Sequence, residues 1–328
     1  MNILVTGGAG YIGSVIVEEL INAGHRVIVL DNLANGHRAA VAPEAVLVVA
    51  DLGDRAGLTP LLRKHAVEAV VHMAASSLVP ESMQRPGQYY RNNVINSLNL
   101  VEAMLEADVH LLVFSSTAGV YGEPERTPLA ETLPLAPVNV YGETKAAFEQ
   151  ALGWFARGRG LRSISLRYFN AAGASAQLGE HHDPESHLIP LVLQVPLGHR
   201  PAVQLFGTDY PTTDGTAIRD YIHVVDLAQA HVQALQVLGE GRSAATAYNV
   251  GTGTGASVRD VLAAARSVTG HPIPVVEQPA RPGDPAVLVA DSSRLMADLG
   301  WRPRYATLEE IVATAWEWHR RHPQGYPK

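Results

Sequence analysis

The chain has 328 residues, of which 47% are hydrophobic and 17% charged, with a formal net charge of −7 and no cysteine. This composition is typical of a globular protein with one large or two ordinary domains, and it excludes disulfides, thiolate metal sites and a cysteine nucleophile. The negative charge and the lack of a basic run argue against a nucleic-acid partner. No apolar run approaches the roughly 20 residues of a membrane span, and the N-terminus enters a strand without a signal pattern. We therefore expect a cytoplasmic protein with no membrane partner.

A glycine-rich turn lies between the first predicted strand and the first predicted helix. The apolar run 3–6 leads directly into Gly7-Gly-Ala-Gly10-Tyr-Ile-Gly13, and apolar residues then recur at helical spacing until Gly24. Glycines at such a turn let the backbone approach a pyrophosphate, and the helix N-terminus adds free N–H groups and positive potential. The pattern predicts a dinucleotide site.

The second strand, 26–30, ends in Asp31. A carboxylate at this position suits the ribose 2′-hydroxyl of NAD and would repel the 2′-phosphate of NADP. The sequence therefore favours NAD.

Strands and helices continue to alternate up to residue 170. Further strands are predicted at 46–49, 69–73, 111–115 and 162–166, with helices at about 88–107 and around residue 145. This order predicts an α/β fold with a Rossmann-type doubly wound parallel sheet, whose ligands lie beyond the carboxyl ends of the strands. Asp31, Asp51, Ala74–Ser77 and Thr117 all fall at such ends.

The alternation stops after Asn170, and turn-forming residues dominate 171–215 and 270–287. We expect an NAD-binding domain at 1–170 and a smaller C-terminal α/β substrate domain at 171–328. A segment at about 216–250 is expected to return to the first domain, with a helix near 224–238. The histidines at 181, 182 and 187 are interpreted as surface loop residues because no thiolate or spaced helical pair accompanies them, so no metal is expected.

Tyr141 and Lys145 form the most informative pair in the chain. Residues at i and i+4 share one face of a helix, and a nearby cation favours the phenolate of a tyrosine, whose ordinary pKa is about 10. The chain has only three lysines and 11 tyrosines in 328 residues. Random placement would give roughly 0.1 such pairs, before any helical preference is considered. The pair is a candidate base with its tuning cation.

The chain resembles the extended short-chain dehydrogenase/reductases, and within them the UDP-glucose 4-epimerases, over essentially its whole length. The motifs that carry the resemblance are Thr6-Gly-Gly-Ala-Gly-Tyr-Ile-Gly13, Asp31-Asn-Leu33, Tyr89-Tyr-Arg-Asn-Asn-Val94, Phe114-Ser-Ser-Thr-Ala-Gly-Val-Tyr-Gly122, Tyr141-Gly-Glu-Thr-Lys145, Arg167-Tyr-Phe-Asn170, Gly215-Thr-Ala-Ile-Arg-Asp-Tyr-Ile-His223, Arg281-Pro-Gly-Asp284 and Arg321-His-Pro-Gln-Gly-Tyr-Pro327.

The resemblance implies inversion at C4 of a UDP-hexose by transient oxidation with tightly bound NAD. Tyr141 would be the base, Lys145 would lower its pKa and hold the nicotinamide ribose, and Thr117 would bond the sugar 4-oxygen. The NAD contacts implied are Gly7, Gly10, Tyr11, Ile12, Gly13, Asp31, Asn32, Asn35, Gly36, Asp51, Leu52, Met73, Ala74, Ala75, Ser77, Asn92, Lys145 and Phe169. The UDP-sugar contacts implied are Thr117, Tyr141, Asn170, His187, Leu188, Phe206, Arg219, Arg281, Asp284 and Leu288.

Two arginines beside turn-rich segments also suit a diphosphate independently of the resemblance, because guanidinium groups bind phosphate bidentately. Leu288 is expected near the C2 substituent of the sugar, or else it is an inward-packed strand residue. A homodimer is expected through the helices near 88–107 and 141–156. Leu98, Val101, Leu105, Phe148, Leu152 and Phe155 supply apolar groups there, although they could equally face the sheet.

Two alternatives remain at this stage. The first is another nucleotide-sugar enzyme of the same superfamily, a decarboxylase or a 4,6-dehydratase, which would place acidic residues just after the Ser/Thr. This chain has Ala118 and Gly119 there. The second alternative is a non-catalytic NAD-binding regulator, which would have no need of both Tyr141 and Lys145.

Overall fold

The computed structural model describes residues 1–242, 245–281 and 284–327. The strands are β1 Asn2–Thr6, β2 Arg26–Asp31, β3 Val46–Val49, β4 Ala69–His72, β5 Leu111–Thr117, β6 Arg162–Tyr168, β7 Asn170–Ala172, β8 Val203–Phe206, β9 Ile218–His223, β10 Ala245–Val250, β11 Gly255–Ser257, β12 Val275–Gln278 and β13 Val287–Leu288. The α-helices are α1 Tyr11–Asn22, α2 Arg55–Lys64, α3 Val79–Gln84, α4 Pro86–Tyr90, α5 Asn96–Glu106, α6 Val140–Arg159, α7 Leu188–Leu193, α8 Val224–Gly239, α9 Val258–Thr269, α10 Ser293–Leu299 and α11 Leu308–Arg321.

The main sheet has seven parallel strands in the order β3-β2-β1-β4-β5-β6-β10. The direction of strand progression reverses between β1 and β4, and the crevice outside such a reversal is where open α/β sheets bind ligands. The Rossmann-type prediction is confirmed.

Two helical layers cover the sheet, one on each face. Successive strand residues point to opposite faces, so each strand contributes apolar side chains to both layers. Ile3 and Val5 of β1 belong to the core shared with α1 and α8, whereas Leu4 belongs to the core shared with α2, α5 and α6. Strands buried on both faces read as nearly continuous apolar runs, as β1, β2 and β4 do.

The helix expected at about 88–107 is interrupted. Helical structure runs from Pro86 to Glu106, but Arg91–Ile95 forms a π-helical turn. A π turn carries one extra residue, and such turns are frequent at functional sites. This turn carries Asn92 and Asn93, whose side chains are part of the site described below.

The C-terminal part builds a second core. β9 is the centre of a small sheet with β7, β11 and β13, while β8 pairs with β12. Helices α7, α9 and α11 pack here around Val192, Leu262 and Val312.

The segment 216–250 is divided between the two cores. β9 lies in the small sheet, α8 packs on the main sheet and β10 is its edge strand. We keep the two-part division near residue 170 as a proposal. None of the described helices is long and apolar enough to cross a membrane.

Candidate active site

The glycine turn brings β1 and α1 together with very little space. A Cβ on Gly13 would lie 2.1 Å from the carbonyl oxygen of Gly7, so only glycine fits at this position. Gly7, at φ +69°, in turn lies against the backbone of Ala74 after β4. The turn therefore lies at the reversal of strand order, where a glycine backbone is suited to the close approach of a pyrophosphate.

Acidic and amide side chains follow β2 and β3. The buried Asp31 carboxylate accepts hydrogen bonds from the backbone N–H groups of Ala9 (2.9 Å) and Leu33 (2.8 Å). The Asn32 amide donates to the exposed Asp51 carboxylate at 2.7 Å. Asp31 is thus held beside the glycine turn, where the ribose of a dinucleotide bound at that turn would lie.

The other residues expected to contact NAD lie at the same edge of the sheet. Asn92, on the π turn, donates to the Ser76 hydroxyl at 3.0 Å, and Asn93 bonds both backbone groups of Ser76. These bonds fix the segment after β4. The remaining positions are Asn35 and Gly36 after β2, Leu52 after β3, Met73, Ala74, Ala75 and Ser77 after β4, and Phe169 after β6.

Thr117 and Tyr141 are brought together by a close approach of two backbones. Thr117 ends β5, and Tyr141 lies in the first turn of α6, where Asn139 caps the helix by accepting from Gly142 N–H at 2.9 Å. A Cβ on Gly142 would lie 2.5 Å from the carbonyl oxygen of Gly119, so glycine is required for this contact. The first turn of α6 therefore rests directly on the segment that follows Thr117.

Lys145 lies one turn further along α6 and is 2% exposed. Its ammonium donates to the Ser115 carbonyl at 2.7 Å and lies 5.9 Å from the centroid of the Tyr141 ring. Burial lowers the pKa of Lys145 to about 7, partly offset by the Glu149 carboxylate. Tyr141 and Lys145 therefore lie one turn apart on the same helix, as the sequence predicted.

The pKa of Tyr141 differs from the expectation. Burial raises it to about 12, and the Thr117 hydroxyl only partly offsets this rise. The sequence predicted a lowered pKa from the lysine spacing alone, without the cost of removing a phenolate from water. Forming the phenolate near neutral pH therefore requires more positive charge than Lys145 supplies by itself.

Sequence reasoning missed a buried ion pair one helical turn after Lys145. Glu149, four residues after Lys145 on α6, pairs with Arg167 of β6 at 2.6 Å, and both side chains are less than one-tenth exposed. Arg167 also donates to the Tyr121 hydroxyl at 2.8 Å, and Glu149 accepts from Ser116. The continued i, i+4 spacing of Tyr141, Lys145 and Glu149 was the available signal.

A cleft of about 680 Å³ lies between the small sheet and α7. This volume is within the range of about 300–1,000 Å³ for small-molecule sites. Arg219 pairs with Asp284, and the Arg281 guanidinium stacks on the Phe206 ring at 4.0 Å. Seven of the residues expected to contact the UDP-sugar line this cleft: Asn170, His187, Leu188, Phe206, Arg219, Arg281 and Asp284. Pro282 and Gly283, inside the Arg281–Asp284 motif, lie outside the described residues.

Leu288 is in the short strand β13, in parallel register with Arg219 of β9. It does not line the 680 Å³ cleft. Its half-buried side chain packs against a small apolar cluster that includes Val120, Tyr121 and Ala146. Leu288 therefore lies at the catalytic end of the site, next to the segment after Thr117.

The three loop histidines do not behave alike. His181 stacks on His37, with ring centroids 4.7 Å apart. His182 and His187 instead join Glu180 and Glu185 in one cluster, whose donor atoms all lie within 4.8 Å of one another. The sequence interpretation of separate surface histidines missed this cluster because the loop 180–187 has no helical or strand period from which proximity could be read.

Comparisons with known proteins agree with this site. The sequence model described as the NAD dependent epimerase/dehydratase family matches residues 3–251. The UDP-glucose 4-epimerase of Halalkalibacterium halodurans is 51% identical, over 99% of this chain and 98% of that protein. A crystal structure of a UDP-glucose 4-epimerase superposes with a TM-score of 0.97 at 48% identity, covering 100% of both chains. The UDP-glucose 4-epimerase from Stenotrophomonas maltophila, solved with NAD and formylated UDP-arabinopyranose, gives a TM-score of 0.95 at 44% identity, covering 99% of both chains.

The fold and the Tyr141–Lys145 pair define a short-chain dehydrogenase/reductase type of site, in which a half-buried tyrosine and a buried lysine share a helix at the sheet edge that carries the glycine turn. The chain belongs to the NAD dependent epimerase/dehydratase family.

Proposed function

We propose that the protein inverts C4 of UDP-hexoses, interconverting UDP-glucose and UDP-galactose, with NAD as a tightly bound cofactor. The observation that carries this proposal is the pairing of the half-buried Tyr141 with the buried Lys145, at the same sheet edge as the glycine turn. The residues at that edge fit NAD, because the turn leaves room for a pyrophosphate and Asp31 is held beside it. The full-length similarity to UDP-glucose 4-epimerases supports the same reaction.

Each catalytic side chain has a distinct task. NAD, when bound, supplies the acceptor that takes a hydride from C4 and later returns it. Tyr141 removes the proton of the sugar 4-hydroxyl and gives it back, while Thr117 bonds the 4-oxygen. Lys145 and the positive nicotinamide ring together favour the phenolate, which burial alone disfavours by raising the pKa of Tyr141 to about 12.

The cleft provides the recognition of the nucleotide. Arg219 and Arg281 supply bidentate donors for the diphosphate, and the stacking of Arg281 on Phe206 holds its guanidinium in place. Holding the UDP part by these contacts leaves the hexose free to present either face to the same tyrosine, as inversion requires.

The residues after Thr117 argue against the related nucleotide-sugar enzymes. Ala118 and Gly119 cannot act as acid or base, whereas a dehydratase or decarboxylase must move further protons. A non-catalytic regulator would have no need to bury a lysine beside a tyrosine, because burial of a charged group is costly.

We expect the purified protein to contain NAD and to interconvert UDP-galactose and UDP-glucose without added cofactor, because the hydride returns to the sugar in each cycle. The measurement is separation of the two sugars after incubation with either one, together with analysis of the nucleotide released on denaturation. A requirement for stoichiometric NAD⁺, with NADH accumulating, would instead identify a dehydrogenase.

Tyr141→Phe should lower kcat by about 10²–10⁴-fold, the usual contribution of a general base, and change KM only several-fold because the ring is retained. Tyr305→Phe, which keeps the ring stacked on His223 away from the site, is the matched control.

Lys145→Met should move the acid limb of the pH–rate profile to higher pH, because loss of the cation raises the pKa of the phenol. An unmoved limb in Lys145→Met would mean that Lys145 does not tune Tyr141.

Leu288 is proposed to limit the size of the C2 substituent of the sugar. It packs beside Val120 and Tyr121 at the catalytic end, and it is shorter than a tyrosine and lacks a hydroxyl. A pocket of this width should accommodate an N-acetyl group at C2 less readily than a hydroxyl group. UDP-N-acetylglucosamine should therefore be epimerised, but more slowly than UDP-glucose.

Leu288→Tyr should remove activity towards UDP-N-acetylglucosamine and largely spare UDP-glucose, because overfilling a packed site costs about 1–3 kcal/mol. Leu288→Met, which conserves volume, should keep both activities. The measurement is kcat/KM for both sugars. Equal losses for both sugars in Leu288→Tyr would show a general packing role.

We also propose that the protein is a homodimer paired through α4–α6 and the π turn. The apolar residues that the sequence analysis named for this face take the second of the two placements left open: Val101, Phe148 and Leu152 are buried against the sheet, and Leu98, Leu105 and Phe155 pack beside them. The outward-facing residues are instead Ile95, 51% exposed, and Trp154, 69% exposed, on adjacent helical segments. Large apolar side chains exposed together are typical of an interface.

Trp154→Glu and Ile95→Glu should each convert a species with the mass of two chains into a monomer at micromolar concentration, because a charge at the centre of an apolar interface is left without a partner. Light scattering after size-exclusion chromatography measures the mass. Val276→Glu, at a similarly exposed valine on β12, should leave it unchanged. A wild-type protein with the mass of one chain would refute the dimer.

A further inference from the structure

The loop between β7 and α7 gathers two histidines and two glutamates at one point. His187 Nδ1 lies 2.8 Å from a Glu180 oxygen and 3.1 Å from a Glu185 oxygen. His182 Nδ1 lies 3.3 Å from Glu180 and 3.7 Å from Glu185. Glu180 is only 5% exposed. Across residues 1–242, 245–281 and 284–327, this is the sole group of three or more such side chains close enough to share an ion.

His182 provides a second observation. Its Nδ1 atom is buried and makes no hydrogen bond within the described structure, although two carboxylates lie within 3.7 Å. The nitrogen lies near both carboxylates but does not have hydrogen-bond geometry towards either one. His187 Nδ1 hydrogen-bonds one Glu185 oxygen, whereas His182 Nδ1 is left without a partner and is the atom that an ion between the four side chains would satisfy.

The spacing fits a tetrahedral transition-metal ion. Zn²⁺ binds histidine nitrogen and carboxylate oxygen at about 2.0–2.2 Å, which places neighbouring ligand atoms roughly 3.4 Å apart in a tetrahedron. The nitrogen–oxygen separations, which involve one oxygen of Glu180 and both oxygens of Glu185, range from 2.8 to 3.7 Å. Two imidazoles with two carboxylates favour Zn²⁺ or a similar ion over Ca²⁺ and Mg²⁺, which prefer oxygen ligands alone.

Neighbouring groups hold the carboxylate ligands in place. One Glu185 oxygen accepts from the backbone N–H groups of Ser186 (2.7 Å) and His187 (2.8 Å), which fixes the carboxylate. The His182 ring meets the ring of Tyr11 edge-on, with centroids 6.4 Å apart, and Tyr11 belongs to the glycine turn. Orientation of ligands by outer groups of this kind is characteristic of metal sites.

We propose that Glu180, His182, Glu185 and His187 bind one divalent transition-metal ion such as Zn²⁺. Four protein ligands close the coordination sphere, so the ion is structural. It clamps the loop that ends at His187, the N-cap residue of α7. Glu180, Glu185 and His187 also line the nucleotide cleft, so the ion fixes one wall of that cleft. Because His187 faces the carboxylates through Nδ1, its Nε2 is left for a ligand in the cleft.

The test is metal content, which does not depend on the proposed activity. Protein purified without a polyhistidine tag is dialysed against Zn²⁺, then against metal-free buffer, and analysed by mass spectrometry of the metal. We expect about one Zn²⁺ per chain, the stoichiometry of a single four-ligand site. His182→Gln should weaken Zn²⁺ binding by more than about tenfold, because even loss of a group that only orients a ligand costs about 10–100-fold in affinity. His271→Gln, at an exposed histidine far along the chain, should not change it.

A second measurement covers the case in which His182→Gln does not fold. Co²⁺ loaded into the wild-type protein should give the intense visible absorption of tetrahedral coordination, and Zn²⁺ should displace it. Wild-type protein that retains no Zn²⁺ and shows no such absorption would identify the cluster as two histidine–glutamate ion pairs. Folded His182→Gln that retains wild-type Zn²⁺ would also overturn the assignment.

Discussion

Parallel strands end together at one edge of a sheet, and the first half of this molecule depends on that constraint. The strands lie in the sheet in the order β3-β2-β1-β4-β5-β6, and the direction in which successive strands are added reverses between β1 and β4. Loops from both halves of the sheet therefore diverge there and leave a crevice. The glycine turn, Asp31 and Thr117 are far apart in sequence but come to this edge because each follows a strand. No long-range pairing of side chains is needed to assemble them.

Tyr141 and Lys145 show how far burial changes the pKa values of two groups placed one helical turn apart. Lys145 is buried and Tyr141 is half-buried, and desolvation disfavours the charged form of each: the pKa of Tyr141 rises to about 12 and that of Lys145 falls to about 7. Among the described residues, Glu149 is the carboxylate that acts on Lys145, and it is itself paired with Arg167. The resting site is therefore poor in positive charge at the phenol, and a cationic cofactor completes it.

Local patterns in the sequence were sufficient to predict the parallel sheet, the glycine turn, the position of Asp31 at the end of β2 and the placing of Tyr141 and Lys145 on one helix. Each of these features depends on spacing along one strand or helix. The partners of Glu149 could not be predicted, since they require knowledge that β5 and β6 are neighbours. The phase of α5 and α6 relative to the sheet was also inaccessible, and for this reason the sequence left open whether Val101 and Phe148 face the sheet or a second chain; they face the sheet. The loop 180–187 has no period at all, so its cluster was found only in three dimensions.

The return of the chain to the main sheet after β9 affects how this architecture can be divided. α8 covers one face through Leu227 and Leu235, and its buried His231 bonds the Tyr168 hydroxyl at 2.6 Å. β10 then forms the sheet edge beside β6. A single recombination point near residue 170 would therefore separate β6 from its neighbouring strand and strip a helix from the nucleotide-binding half. Exchange of substrate-recognition parts between relatives would need at least two crossovers, on either side of the α8–β10 segment.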